Sequence, residues 1–291
     1  MVGSDLDDFC DGLVDTGISR VPVKDDGRRR PSYHGSIEDH VRMIMRTRLV
    51  LRAIAADPRM QETSTPTLFH DYVSKGDIFV SEDDPSVITG VIDWQFTSIE
   101  PAFWYTSSMP DWAKELFAPS SSKENKQQEQ KTAQLCKESW EVCTKHFLPS
   151  IAKPQSMDAN LFRPFFLCHN TWKEGAVFLR HDLIESAKDW SHHLGFGGSS
   201  PYPLPTTKEK EKHKKEYEYF KDTRSLRDEM ASLFKATDDG WVFPEVYDLA
   251  MDMQKDLYRS LVETTLDPKN YDPNEPLKDE EDIRAVWPYD V

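Results

Sequence analysis

Cysteine is scarce: four residues in 291, Cys10, Cys136, Cys143 and Cys168, with no CxxC pair among them. That spacing argues against a zinc ribbon or a disulfide framework, and a chain this long can bury roughly 75% of its unfolded surface without such staples. Long apolar runs are also missing. All are broken by charge well short of the roughly 18 to 20 residues that a membrane span needs, so no transmembrane segment is expected. Positive charge is under-represented, 36 Lys+Arg against 51 Asp+Glu for a net of −15. Such a surface repels phosphate backbones, and the two basic runs, Arg28–Arg30 and Lys208–Lys215, read as solvated faces, so nucleic-acid binding is not expected. The first fifteen residues carry Asp5, Asp7, Asp8, Asp11 and Asp15 and no arginine, the reverse of a transit peptide.

What is present is a chain of mixed character. Residues 1–35 hold glycines at 3, 12, 17, 27 and 35 with Pro22 and Pro31, which reads as an irregular N-terminal segment. Ser36 then offers an N-cap with Asp39 three residues on, and Val41, Ile44, Met45, Leu49 and Ile54 recur at helical spacing up to Asp57-Pro58; the pattern predicts a helix of about five turns. Leu68-Phe69-His70 is a short apolar entry to a polar loop. Ile78-Phe79-Val80 and Val87–Trp94 read as two strands of a hairpin about the turn Ser81–Ser86. Beyond it the chain turns helical, over Leu135–Phe147, Trp172–Leu194, Lys208–Phe234 and Val246–Leu261, with Gly195–Pro205 as a connector. The acidic tail 267–291 reads as extended, with Trp287-Pro288-Tyr289 as an anchor. The expected fold class is α+β, mainly helical, with a main body over residues 36–266.

Chemistry concentrates between Leu68 and Trp94. An apolar strand delivers Asp93 at its end, and a hairpin away lies a loop holding His70, Asp71 and Asp77. Hard cations such as Mg²⁺ take oxygen ligands, usually one or two carboxylates plus substrate phosphates. Asp93 and Asp77 supply such a pair, or else Asp93 merely ends one strand and Asp77 begins the other.

These residues carry a resemblance. Leu68-Phe69-His70, Asp77–Pro85, Ile88–Gln95, Glu100–Tyr105, Leu161–Phe165, Trp190–Pro201, Asp239–Val242 and Trp287–Asp290 together resemble the fungal aminoglycoside phosphotransferase-like proteins, and within them the altered inheritance of mitochondria protein 9 group. The resemblance runs from about residue 30 onward. It implies the C-terminal, large lobe of a protein-kinase-like fold and ATP- and Mg²⁺-dependent phosphoryl transfer to a small-molecule hydroxyl. It also implies a mitochondrial location, against which the N-terminus, lacking a transit signal, leaves the cytoplasm as the alternative. By resemblance the His70 loop is the catalytic loop, Asp93 a metal ligand and Asp77 a second ligand.

Departures from the family pattern shape the expectation. The family loop places aspartate two residues after the histidine, where this chain has Tyr72, leaving Asp71 as the nearest base; the asparagine seven residues after the histidine has become Asp77. No GxGxxG and no strand-borne lysine of the V-A-I-K kind precede His70, so a nucleotide lobe is not visible and activity of this chain alone is expected to be impaired. The alternative is a non-catalytic, pseudokinase-type or truncated binding or scaffold protein with a protein partner.

Other candidates read as structural. His192-His193 sits at a helix C-terminus, where histidine favours the dipole. Cys136 and Cys143, seven apart on a helix, read as core thiols. Cys168-His169-Asn170, adjacent on one element, cannot pair nucleophile and base by that proximity. Trp172, Trp190 and Trp241 read as core or rim packing.

Overall fold

The computed structural model describes residues 5–70, 73–95, 97–113, 123–236, 240–270, 272–273 and 275–289. In chain order it forms α1 (Leu6–Arg20), α2 (Ile37–Ala55), α3 (Pro58–Gln61), β1 (Pro66–Phe69), β2 (Ile78–Val80), β3 (Ile88–Val91), β4 (Ser98–Pro101), α4 (Lys123–Phe147), α5 (Pro149–Gln155), α6 (Arg163–Cys168), α7 (Thr171–Glu174), α8 (Ala176–Asp189), α9 (Thr207–Phe234), α10 (Tyr247–Leu266) and α11 (Glu280–Val286). Helix accounts for 62% against 6% strand, so the protein is mainly helical. Among the described residues no helix is long and apolar enough to cross a membrane. The chain divides into two compact units, residues 1–12 with 51–166, and residues 13–50 with 167–291.

The first unit is built around aromatic packing. Phe103 stacks on Phe162 at 5.4 Å between ring centroids and meets Phe165 edge-on at 5.0 Å. Phe9 of α1 adds edge contacts to Phe103 and Trp104. Met60 and Ile151 are among the fully buried side chains of the same unit. Two small antiparallel sheets lie in the same unit. β1 pairs β4 with Leu68 opposite Ile99, and β2 pairs β3 with Phe79 opposite Gly90 and a bulge at Phe79/Val80. The second pairing is the hairpin the turn residues predict. The first joins segments some thirty residues apart, and β4 carries no alternation that would reveal it.

The second unit holds two apolar clusters. Tyr33, Val177 and Phe220 form one, and Met230, Phe234, Ala250, Tyr258, Ile283 and Trp287 form the other. α9 starts with a capping box, Thr206 Oγ1 accepting from Glu209 N and Glu209 accepting from Thr206 N, which satisfies donors that the first helical turn leaves open.

Several expectations are corrected. Residues 1–35 are not irregular throughout, because α1 occupies Leu6–Arg20. Leu6, Cys10 and Val14 form its buried stripe, and Gly17 serves close packing: a Cβ there would stand 2.7 Å from the Cys168 carbonyl oxygen. The Trp172–Leu194 helix is interrupted at Gly175, whose φ of +99° takes the chain out of α7 before α8 begins. The break lets Ala176 N and Val177 N donate to the His34 and Tyr33 carbonyls. The tail is not simply extended, since α11 forms behind Asp279, whose side chain accepts from Asp282 N. Cys143 is exposed and Cys136 only half-buried, because Leu135, Val142 and Phe147 show that the apolar residues of α4 are largely in solvent. Of the tryptophans read as core or rim packing, Trp190 is buried and Trp241, 51% exposed, meets Phe243 edge-on, so neither departs from that reading.

The basic run Arg28–Arg30 is not a free solvated face. Arg29 pairs with Asp279, Glu281 and Asp282, and Arg30 with Asp25 and Asp26 while its guanidinium lies 4.7 Å above the Trp172 ring. His193 lies 3.9 Å from Asp189 just past the end of α8, in keeping with a helix-end role.

Candidate functional site

The β2–β3 hairpin gathers the candidate residues at its open end. β1 ends at Phe69 and delivers His70, whose Nε2 lies 3.0 Å from the Ile92 carbonyl oxygen. A carbonyl only accepts, so the proton sits on Nε2 and the loop leaving β1 is tied to the end of β3. On the β2 side Ile92 N donates to the Asp77 carbonyl at 2.9 Å. His70, Asp77 and Asp93 are thus joined through one residue, Ile92. The His70 ring lies 5.0 Å from that of Trp94, whose indole N–H donates to the Val91 carbonyl at 2.9 Å. Trp94 is a member of this site that sequence reasoning passed over; its place directly after Asp93 was the available signal.

Each carboxylate is held differently. Asp77 closes a short 3₁₀ turn, its Oδ2 accepting from Ser74 N at 2.7 Å. Ser74, through its hydroxyl and backbone N–H, and then the nearby His70 hold the Asp77 carboxyl below the usual carboxylate range. It is therefore an anion at neutral pH, with one oxygen committed to the cap. Asp93 is exposed, and among the described residues no hydrogen bond or ion pair engages its carboxylate. Its backbone has φ of +63°. A non-glycine residue in the left-handed region costs about 1 kcal/mol or more and persists where its surroundings over-determine it, often at functional sites.

The donor set suits a hard cation. Two carboxylates at one hairpin end match the sparse protein ligation of Mg²⁺, which keeps water and substrate oxygens for its other positions. Among the described residues no group of three or more His, Cys, Asp or Glu is placed to hold a metal ion. Asp71 and Tyr72, on which the base assignment turns, lie outside the described residues.

No family model, no curated protein and no solved structure matches this chain.

The remaining candidates separate from this site. Cys168 is buried, and Arg20 donates to the His169 carbonyl at 2.9 Å and to Asn170 Oδ1 at 2.7 Å; the triplet anchors α1. His213 on α9 accepts from Arg180 Nε at 3.1 Å and lies 3.3 Å from His181 Nδ1, while Arg180 pairs with Glu216. Burial, then Arg180 and His181, push His213 down to about 4. His40 is fully buried, with Nε2 3.3 Å from His34 Nδ1, and burial with His34 pushes it down to about 4 as well. Both are neutral packing histidines.

Proposed function

We propose that the open end of the β2–β3 hairpin is the cation- and phosphate-handling end of a kinase-like lobe of the aminoglycoside phosphotransferase-like type, acting in ATP- and Mg²⁺-dependent phosphoryl transfer to a hydroxyl of a small molecule. One observation carries this reading: His70 and Asp77 are both hydrogen-bonded to Ile92, the residue directly before Asp93, whose backbone has φ of +63° and whose carboxylate has no bond to any of the described residues. Such transfer rests on positioning and on neutralising charge at the phosphate.

In this reading Asp93 is the principal cation ligand and Asp77 the second, through the oxygen not bound to Ser74. A bound Mg²⁺ supplies neutralisation of phosphate charge. His70 acts through Ile92 and is a positioning residue: its hydrogen bond fixes where β3 ends and hence where Asp93 stands. Asp71 is the remaining candidate to accept the acceptor hydroxyl proton.

A second reading, a non-catalytic binding lobe, draws on the same geometry. Asp77 gives one oxygen to the Ser74 cap, and Tyr72 occupies the position where the resembled family has its base.

Thermal unfolding of the pure chain with and without Mg·ATP tests the proposal. At about 100 times the Kd, a ligand stabilises the native state by roughly 2.7 kcal/mol. A shift in the parent chain that Asp93→Asn removes is the expected result. No shift in the parent overturns the phosphotransferase reading and leaves the binding lobe.

A further inference from the structure

The hairpin shows a second property, independent of the carboxylate pair. Within residues 79–94 six large apolar side chains stand about half or more exposed: Phe79 52%, Val80 47%, Val87 49%, Ile88 61%, Ile92 50% and Trp94 50%. Folded proteins rarely leave such a concentration open without a use for it. The sheet has two strands only, and among the described residues neither β2 nor β3 pairs with any further strand. Two-stranded sheets are marginal by themselves, and unpaired edges are templates for another strand. Phe79 stands opposite Gly90, where a Cβ would meet nothing within 4 Å, so the surface beside the Phe79 ring is open.

Charge decides the occupant. Residues 73–95 contain Asp77, Glu82, Asp83, Asp84 and Asp93 against Lys75 alone. Asp84 is held below the usual carboxylate range by the Ser86 hydroxyl and backbone N–H, so the turn stays anionic well below neutral pH. A second copy of this chain would bring the same acidic rim against itself, and an anionic lipid surface or nucleic acid would be repelled.

We infer that the β2–β3 hairpin is a docking surface for an extended basic segment of a partner polypeptide, apolar at alternate positions, which adds to the sheet as a third strand. Alternate side chains cover Phe79, Ile88 and their neighbours, backbone groups pair with a free strand edge, and Lys or Arg residues meet Glu82, Asp83 and Asp84. The inference does not depend on phosphoryl transfer, and its tests leave Asp77 and Asp93 unchanged.

The experiment is fluorescence anisotropy with a labelled peptide alternating Lys with Val and Ile, beside its Glu-for-Lys counterpart and a same-composition peptide with the apolar residues in one block. The alternating basic peptide is expected to bind the full chain. Phe79→Ser and, separately, Glu82→Lys with Asp83→Lys should each weaken it by about tenfold or more. All three residues are exposed, so folding is retained and circular dichroism verifies it. No binding, equal binding of the acidic peptide, or binding of both basic peptides unaffected by Phe79→Ser overturns the inference. Concentration-dependent dimerisation lost in Phe79→Ser also overturns it, in favour of a second copy.

Discussion

The β2–β3 hairpin of the first unit and the C-terminal cluster of the second use the same residue types to opposite ends. In the cluster, Phe234, Tyr258, Ile283 and Trp287 are buried, and the acids that open α11 are met by Arg29. In the hairpin, Phe79, Ile88 and Trp94 are exposed and the acids outnumber the bases five to one. Where apolar area is removed from water and charge is answered, the residues account for stability. Where both are left presented, stability does not explain them, and the proposed docking of a basic strand would.

The contrast can be broken by mutation. Trp287→Ala should have the largest effect. It removes a buried ring that packs edge-on to Tyr258 at 5.3 Å and donates from Nε1 to Gln254 at 3.2 Å, and such truncations cost about 3–5 kcal/mol. Urea denaturation of the full chain checks this; a loss within about 0.5 kcal/mol, the scale of a surface change, would erase the distinction.

Acid is the next lever, and it acts on the buried side. His40 is faced by His34, Asp39 and Arg30, and His213 by Arg180, His181, Glu185 and Lys188. Both have folded pKa values near 4, below the unfolded value of 6.5. Between those limits the unfolded chain binds the extra proton, so stability falls as pH drops from 6.5 to 4 and is present in full above 6.5. Both rings lie close enough to solvent for it to screen the effect, so each contributes on the order of 1–2 kcal/mol. Denaturation midpoints at pH 7, 5.5 and 4.5 should fall in that order; a flat profile across this window would show the two histidines to be exposed in solution.

Much of this organisation was legible beforehand, and the failures have causes. Ser36 with Asp39 announced α2, and the capping bonds are present, Asp39 N to Ser36 Oγ at 3.1 Å. The face was less legible: Val41, Met45 and Leu49 are exposed, while His40 and Thr47 are fully buried. Periodicity identified a helix, but apolar residues lie on several of its sides, so only tertiary packing selects the buried one. α1 was hidden because Gly12 and Gly17 looked like turn residues; Gly17 is there for the Cys168 carbonyl. At the site, the end of an apolar strand pointed to Asp93, and in the structure Asp93 stands just past the end of β3. The Ser74 cap on Asp77 repeats the spacing of Ser36 with Asp39, but no apolar-periodic run follows it to announce a helix, and φ of +63° at Asp93 leaves no trace in residue type, since aspartate tolerates that region better than most.

On the hairpin side the expected stability effects are small and their direction is informative. Asp93→Gly relieves a left-handed backbone and should stabilise the chain by about 0.5–1 kcal/mol while removing the response to Mg·ATP. Destabilisation would mean that the Asp93 side chain serves the fold. Phe79→Ser should change stability by less than about 0.5 kcal/mol, because the ring is already in water; thermal unfolding checks this, and a loss of several kcal/mol would place Phe79 in the core.

The central claim is that the open end of the hairpin holds a cation through Asp93. The most direct measurement is a Mn²⁺ titration followed by electron paramagnetic resonance, with Mn²⁺ standing in for Mg²⁺, on the parent chain and on Asp93→Asn. The account predicts a saturable bound ion in the parent that Mg²⁺ competes away and that the substitution abolishes. The same occupancy and affinity in Asp93→Asn would contradict it.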